Sequence, residues 1–222
     1  MPAPGLNHVD PRGRPLVLAL SPTISMVKLS VGPMDNNAYF LLPGASPAVL
    51  VDAANDARRL SRAVSDQPVA TIVTTHQHHD HWQALSAFAG ETGAELTAGR
   101  PDVEAIERGA GVSGVVGVWD GDHVDLGSES LEVIGLVGHT PGSIALAYAA
   151  GPVVHLFTGD SLFPGGPGKT AGAAEFASLM DDLEAKIFGR FDDDTVVHPG
   201  HGDDTTLGAE RGQLGSWRAR GW

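Results

Sequence analysis

The stretch Thr74-Thr75-His76-Gln77-His78-His79-Asp80-His81-Trp82 constrains this chain more than any other. Four histidines and one aspartate occupy six consecutive positions, in a chain with ten histidines in all. The run follows Pro68-Val69-Ala70-Thr71-Ile72-Val73, a short apolar, β-branched segment that predicts a buried strand. In a helix, positions two apart point to nearly opposite sides, at about 200° for 3.6 residues per turn. His76 and His78 could not share one ion there. In extended chain, residues i and i+2 face the same way. His76 and His78 can therefore grip one ion as the chain leaves the strand. Asp80 and His81 can face a second as it turns. Imidazole and carboxylate suit zinc, and imidazole also suits iron.

A polar loop that is His-rich by chance would not be expected to meet the demands of His-x-His-x-Asp-His spacing. That spacing resembles the signature of the metallo-β-lactamase superfamily, whose members are αββα metallohydrolases. The resemblance implies an α+β fold, a single-domain αββα sandwich of two mixed sheets packed face to face, with helices outside and metals at one edge. It covers roughly residues 23–205. The expected domain is 1–222, with an irregular N-terminal segment over 1–22 and a short C-terminal tail over 206–222. The early Asn36-Asn37-Ala38-Tyr39 run also resembles the opening of that fold.

The resemblance further implies a ligand set. The loop Gly138-His139-Thr140-Pro141-Gly142-Ser143 would supply His139 to complete a first site with His76 and His78. Three nitrogen ligands leave a position for water, the open arrangement of a catalytic site. Asp80, His81 and His201, the last from Pro199-Gly200-His201-Gly202, would hold the second metal. Asp160, in Thr158-Gly159-Asp160-Ser161, would bridge the two. A bridging carboxylate neutralises charge between two dications about 3.5–4 Å apart. Taken without the resemblance, His139 reads as a loop residue between turn glycines and Asp160 as a turn carboxylate.

Asp52, at the end of an expected strand over 48–51, has two readings. It caps the helix expected over 56–65, or it hydrogen-bonds a metal-ligating histidine and fixes its orientation. Lys169 lies in Pro164-Gly165-Gly166-Pro167-Gly168-Lys169-Thr170. The segment is superficially like a phosphate loop, but position 163, where the first glycine belongs, is Phe. The residue corresponds better to a basic residue that glyoxalase II-like thioesterases place near the thiol part of the substrate. An exposed loop lysine is the plain alternative.

Composition narrows the partners. A formal net charge of −13 argues against a nucleic-acid surface. No apolar run reaches the roughly 20 residues of a membrane span, and the proline-rich start lacks a basic segment before its apolar run, so the cytoplasm is the expected location. The absence of cysteine excludes thiolate ligands and a cysteine nucleophile. Along the chain, strands are expected over 23–31, 38–42, 48–51, 95–98, 115–119, 130–137, 144–149, 153–157 and, last, 195–198. A helix over 101–108 should stop at Gly109, and Ala173–Phe188 reads as the clearest helix, with Phe176, Leu179, Leu183 and Ile187 on one face.

The function expected is metal-dependent hydrolysis of ester-type bonds, foremost of small acyl thioesters in the manner of glyoxalase II. Two divalent ions are implied, zinc first, with iron or manganese as alternatives, and Asp80 orienting the attacking water or taking its proton. A mononuclear-iron oxygenase of the persulfide dioxygenase type shares the fold. So do lactonases, and a non-catalytic metal-binding protein is the remaining reading. Only 21 residues follow His201, too few for the helical region that supplies much of the glutathione site in glyoxalase II. Thioesters of other thiols are therefore expected to be preferred. The oligomeric state is left open.

Overall fold

The computed structural model describes residues 5–221 apart from Arg12, Ser65 and Asp66. The proline-rich start Met1–Pro4, the last residue of the helix expected over 56–65, and Trp222 lie outside the described residues.

The first sheet has seven strands in sequence order: β1 (Leu16–Ala19), β2 (Ser25–Val31), β3 (Asn36–Leu42), β4 (Ala48–Val51), β5 (Val69–Thr74), β6 (Glu95–Gly99) and β7 (Val116–Val118). β1 to β4 are antiparallel, joined by short turns. From β4 onward the strands are parallel. Parallel neighbours need a crossover, which α1 (Ala57–Ala63), α2 (Leu85–Thr92) and α3 (Val103–Ala110) supply.

The second sheet is built from β8 (His123–Leu126), β9 (Glu129–Gly135), β10 (Ile144–Tyr148) and β11 (His155–Gly159), followed by β14 and β15 described below. A small hairpin, β12 (Leu162–Phe163) and β13 (Gly166–Pro167), follows β11. Next comes α4 (Ala173–Asp182), which runs on as a wider π-helical turn over Leu183–Phe188. β14 (Val196–Pro199) returns parallel to β11, and β15 (Thr205–Thr206) closes the edge. α5 (Leu207–Arg211) and α6 (Leu214–Arg220) end the chain.

Strand alternation sorts the side chains into layers. On β2, Val27, Leu29 and Val31 face the α1–α3 layer, together with Phe40, Leu60 and Phe88. Met26 faces the opposite way, into the space between the sheets, with Tyr39, Val133, Leu146 and Phe157. The same alternation sends Lys28 and Ser30 to that inner face, and both are buried. A third cluster packs Phe176, Leu179, Leu183 and Ile187 on the back of the second sheet, the helix face expected from their spacing. The architecture is the α+β sandwich that the resemblance implied.

Several elements differ from expectation. β1 lies inside the segment read as irregular. Its apolar run has no alternation of its own, and its strand form comes from pairing with β2. β8 was not expected, and β15 follows the strand read as the last. α3 continues through Gly109 to Gly111, which takes the left-handed conformation at φ 67°. Gly109 serves packing instead: a Cβ there would sit 2.6 Å from the Trp82 ring.

The short tail over 206–222 holds two helices, α5 and α6. Trp217 is only 3% exposed and meets Phe188 edge-on at 6.1 Å. Trp217→Ala should therefore lower the unfolding free energy by about 3–5 kcal/mol. Chemical denaturation reads this directly, and an unchanged midpoint would show that α6 adds nothing to the core.

Candidate metal centre

Four strand ends meet at one edge of the sandwich. β5 runs out into residues 75–82, β9 into 136–143, β11 into Asp160 and β14 into 200–204. Backbone bonds tie these segments together: Ile144 N donates to Thr75 O at 3.0 Å and Gly200 N to Gly159 O at 2.8 Å. All seven expected ligand residues lie here, in three overlapping groups: His76, His78 and His139; His76, His81 and Asp160; Asp80, His81 and His201.

In the first group His139 Nε2 is 3.2 Å from His76 Nε2 and 2.8 Å from His78 Nδ1. In the last, His201 Nε2 lies 3.2 Å from both His81 Nε2 and Asp80 Oδ2. Asp160 sits between them. Its Oδ1 is 3.3 Å from His81 Nε2, and its Oδ2 is 3.5 Å from His201 Nε2 and 3.7 Å from His139 Nε2.

The outer ring nitrogens fix the tautomers, because the hydrogen bond made by one imidazole nitrogen decides the state of the other. His139 Nδ1 donates to the Lys169 carbonyl at 2.5 Å. His201 Nδ1 donates to the Met34 carbonyl at 2.9 Å. His81 Nδ1 donates to Asp52 Oδ2 at 2.8 Å. His76 Nδ1 donates to Thr75 Oγ1 at 3.1 Å, a hydroxyl whose own proton goes to Asp52. In the neutral rings every Nε2 then carries a lone pair, and these lone pairs point at one another across about 3 Å. Such an arrangement is stable only around cations. Asp160 Oδ1 agrees: it is buried and receives no hydrogen bond of good geometry. The donor set therefore fits metal ligation.

Without them, protons take their place. Burial disfavours a charged His81, but Asp52 and Asp160 hold its pKa up at about 10. Burial likewise opposes charge on His201, yet Asp160 and Asp80 raise it to about 10. The His201 hydrogen bond and the His81 charge keep Asp80 well below the usual carboxylate range, against its partial burial. Burial pushes Asp160 up, but the neighbouring His201, His81 and His76 outweigh it and hold the carboxyl well below its usual range. Burial pushes His76 and His139 down, so both are neutral.

Asp52 stands behind the site. Its Oδ1 accepts from Thr75 N, and its Oδ2 from Thr75 Oγ1 and His81 Nδ1, each at 2.8 Å. The helix cap is Asp56, whose side chain accepts from Arg59 N. Lys169 is exposed, and the contact seen at the site is that of its main-chain carbonyl with His139. His79 points away, against Trp82 and Gln83.

Two residues escaped the sequence reading. Asp102 is fully buried and accepts from Gln77 N at 2.9 Å, Thr140 Oγ1 at 2.6 Å and Gly142 N at 2.8 Å. It ties the His76–His78 segment to the His139 loop. In sequence it is only the residue after Pro101 at a helix start. Asn36 donates to Asp80 Oδ2 at 2.9 Å and to the Asp80 carbonyl at 3.1 Å. In sequence it stands only in the Asn36-Asn37-Ala38-Tyr39 run, with no role assigned. Gly200 admits no side chain, since a Cβ would fall 2.3 Å from Asp160 Oδ1 and 2.5 Å from His81 Cε1.

A groove of about 590 Å³ opens beside His78 and His139, lined also by Pro141, Ala171, Ala174 and Glu175.

Metal loading must displace the protons on His81 and His201. Both pKa values lie above neutrality, so the protonated forms dominate at pH 7 and ligation requires their loss. Zinc titration of the metal-free protein at pH 7 should release protons, and affinity should fall as pH is lowered. Calorimetry in buffers of different ionisation enthalpy measures the release; zero net release would contradict the assignment of these protons.

Comparison with known proteins places the chain. The family model of the metallo-beta-lactamase superfamily matches residues 31–201. A hydroxyacylglutathione hydrolase of Polaromonas sp. is 33% identical over 74% of this chain, which spans 61% of that relative's length. Hydroxyacylglutathione hydrolase GloC of Haemophilus influenzae is 26% identical, covering 82% of this chain and 93% of its own. Among solved structures, TTHA1623 in a di-iron-bound form superimposes with a TM-score of 0.65 at 27% identity, over 83% of this chain and 96% of that one. No helix among the described residues is long and apolar enough to cross a membrane. With the sandwich fold, the seven converging histidine and aspartate residues and the family match over residues 31–201, this chain belongs to the metallo-beta-lactamase superfamily.

Proposed function

We propose that the chain hydrolyses small acyl thioesters with the help of two divalent ions, zinc first and iron as the alternative. The observation that carries this reading is the pair of inward-facing donor clusters on either side of Asp160. His76, His78 and His139 would hold one ion and Asp80, His81 and His201 the other, with Asp160 shared. Ions bound there would polarise a carbonyl oxygen and lower the pKa of water to about 7.

The chain's own groups supply the rest. Asp80 is ionised, and Asn36 anchors its Oδ2, so it is set to orient an attacking water and accept its proton. Thr75 and Asp52 hold His76 and His81 in place from behind. A thiol leaving group has a pKa of about 8.5 and departs as thiolate with little protonation. No further acid is required. The groove beside His78 and His139 offers room for one arm of the substrate, and Lys169 would contact an anionic thiol carrier. One exposed charge contact contributes about 1 kcal/mol at most, so the carrier is weakly selected by it.

The relatives' names support a thioester as substrate, although the Polaromonas relative extends well beyond this chain. The short C-terminal region does not by itself argue against glutathione, because GloC is matched over 93% of its length and carries the hydroxyacylglutathione name. A single-iron oxygenase using His76, His139 and Asp160 would leave the Asp80, His81 and His201 cluster without a task, which favours the hydrolase.

Three measurements test this. Elemental analysis of metal-replete protein should approach two equivalents; a steady single equivalent would return the oxygenase reading. His139→Ala and Asp160→Ala should fold but lose more than about 100-fold in kcat/KM, with reduced metal content. Wild-type turnover by Asp160→Ala with both ions retained would remove it from the bridge. Comparing lactoylglutathione with simpler thioesters, beside a lactone panel, identifies the bond and the thiol; lactone turnover without thioester turnover would replace the proposal.

A further inference from the structure

A buried ion pair lies behind the second donor cluster and contacts none of its ligands. Lys28 is fully buried on β2, with its Nζ 2.7 Å from Asp204 Oδ1 and 2.8 Å from the Gly202 carbonyl. The other Asp204 oxygen accepts from His198 Nδ1 at 2.7 Å and Asn7 Nδ2 at 2.9 Å. His198 Nε2 in turn meets His155 Nδ1 at 2.9 Å.

Everything in this network bears on the turn that carries His201. Tyr39, opposite Lys28 in the β2–β3 register, donates its hydroxyl to the Pro199 carbonyl at 2.6 Å. Asn37 Nδ2 donates to the Pro199 and Gly202 carbonyls at 2.9 and 3.0 Å, and Asn37 N to the Gly200 carbonyl at 2.7 Å. Gly202 turns the chain at φ 67°. The carbonyls on both sides of His201 are thereby fixed to the inner face of the first sheet.

We propose that Lys28 and Asp204 are positioning residues for His201, setting the second half of the metal site from the space between the sheets. The inference rests on the two-metal reading above. A buried ion pair is a poor source of net stability, since apolar residues of similar volume often do as well or better. What the pair supplies here is direction. Lys28 pulls the Gly202 carbonyl and Asp204 to one point, and a useful ligand must stand within a few tenths of an ångström of its place. Among the described residues no hydrogen bond joins His76, His78 or His139 to this network, and their loops are held by Asp102 and by the Lys169 carbonyl.

The test is the double variant Lys28→Met with Asp204→Leu, which removes both charges together. Zinc affinities of the two sites are read by chelator competition, with cobalt(II) absorption as the spectroscopic check. We expect a folded protein whose weaker-held zinc is lost at least about tenfold more readily, while the affinity of the other ion stays within twofold and the cobalt spectrum of one site changes. The isosteric Asp204→Asn variant should show the same split to a smaller extent, and it stands in if the double variant does not fold. Equal affinities to wild type in a folded variant, or an equal fall at both sites, would overturn the proposal. So would failure of both variants to fold, which would mark the pair as a folding element. Wild-type protein holding one ion would overturn this inference and the two-metal reading together; wild type with two ions and unaffected variants would overturn this inference alone.

Discussion

The constraint on which the site depends is the capture of one ring nitrogen of His76, His81, His139 and His201 by a fixed acceptor. Met34 and Lys169 offer main-chain carbonyls, Asp52 a carboxylate, and Thr75 a hydroxyl that is itself tied to Asp52. Each capture decides a tautomer and stops a ring from turning. The remaining nitrogens face inward at separations where their lone pairs repel. The protein therefore stores an electrostatic demand that cations, or protons in their absence, must meet.

The sandwich exists to hold those acceptors still. Crossover helices make β4 to β7 parallel, and α4 makes β14 parallel to β11, so that the chain emerges from β5, β11 and β14 at the same edge. Close approach there requires glycine where the segments touch, as at Gly200 against Asp160 and His81. Buried carboxylates then bind the loops from behind, Asp102 joining two of them and Asp52 joining strand end to ligand. Asp52 does so with φ at +58°, a left-handed conformation that aspartate tolerates better than most residues. Three acceptor bonds of 2.8 Å keep it there.

Much of this was legible in the chain. Alternation and turn residues placed β2 to β6 closely, and the spacing of Phe176, Leu179, Leu183 and Ile187 marked the helix face that packs on the second sheet. Among the elements that were missed, β1, β8 and β15 depend on partners, being short strands defined by their neighbours. Gly109 resembled a helix stop because its packing against Trp82 is a long-range fact.

The sequence by itself determined which side chains have the chemistry and the spacing to be metal ligands. The two-residue period of extended chain puts His76 and His78 on one side, and ligand chemistry follows from residue type. His139, Asp160 and His201 became candidates through the family resemblance, by motif and order along the chain. Tertiary structure alone decided what stands behind those ligands. Asp102, Asn36, Lys28 and Asp204 are separated in the chain from the groups they hold by as many as 176 positions. Hydrogen bonding is directional and short-ranged, and no pattern of neighbours along the chain encodes which distant carbonyl or carboxylate will arrive within 3 Å.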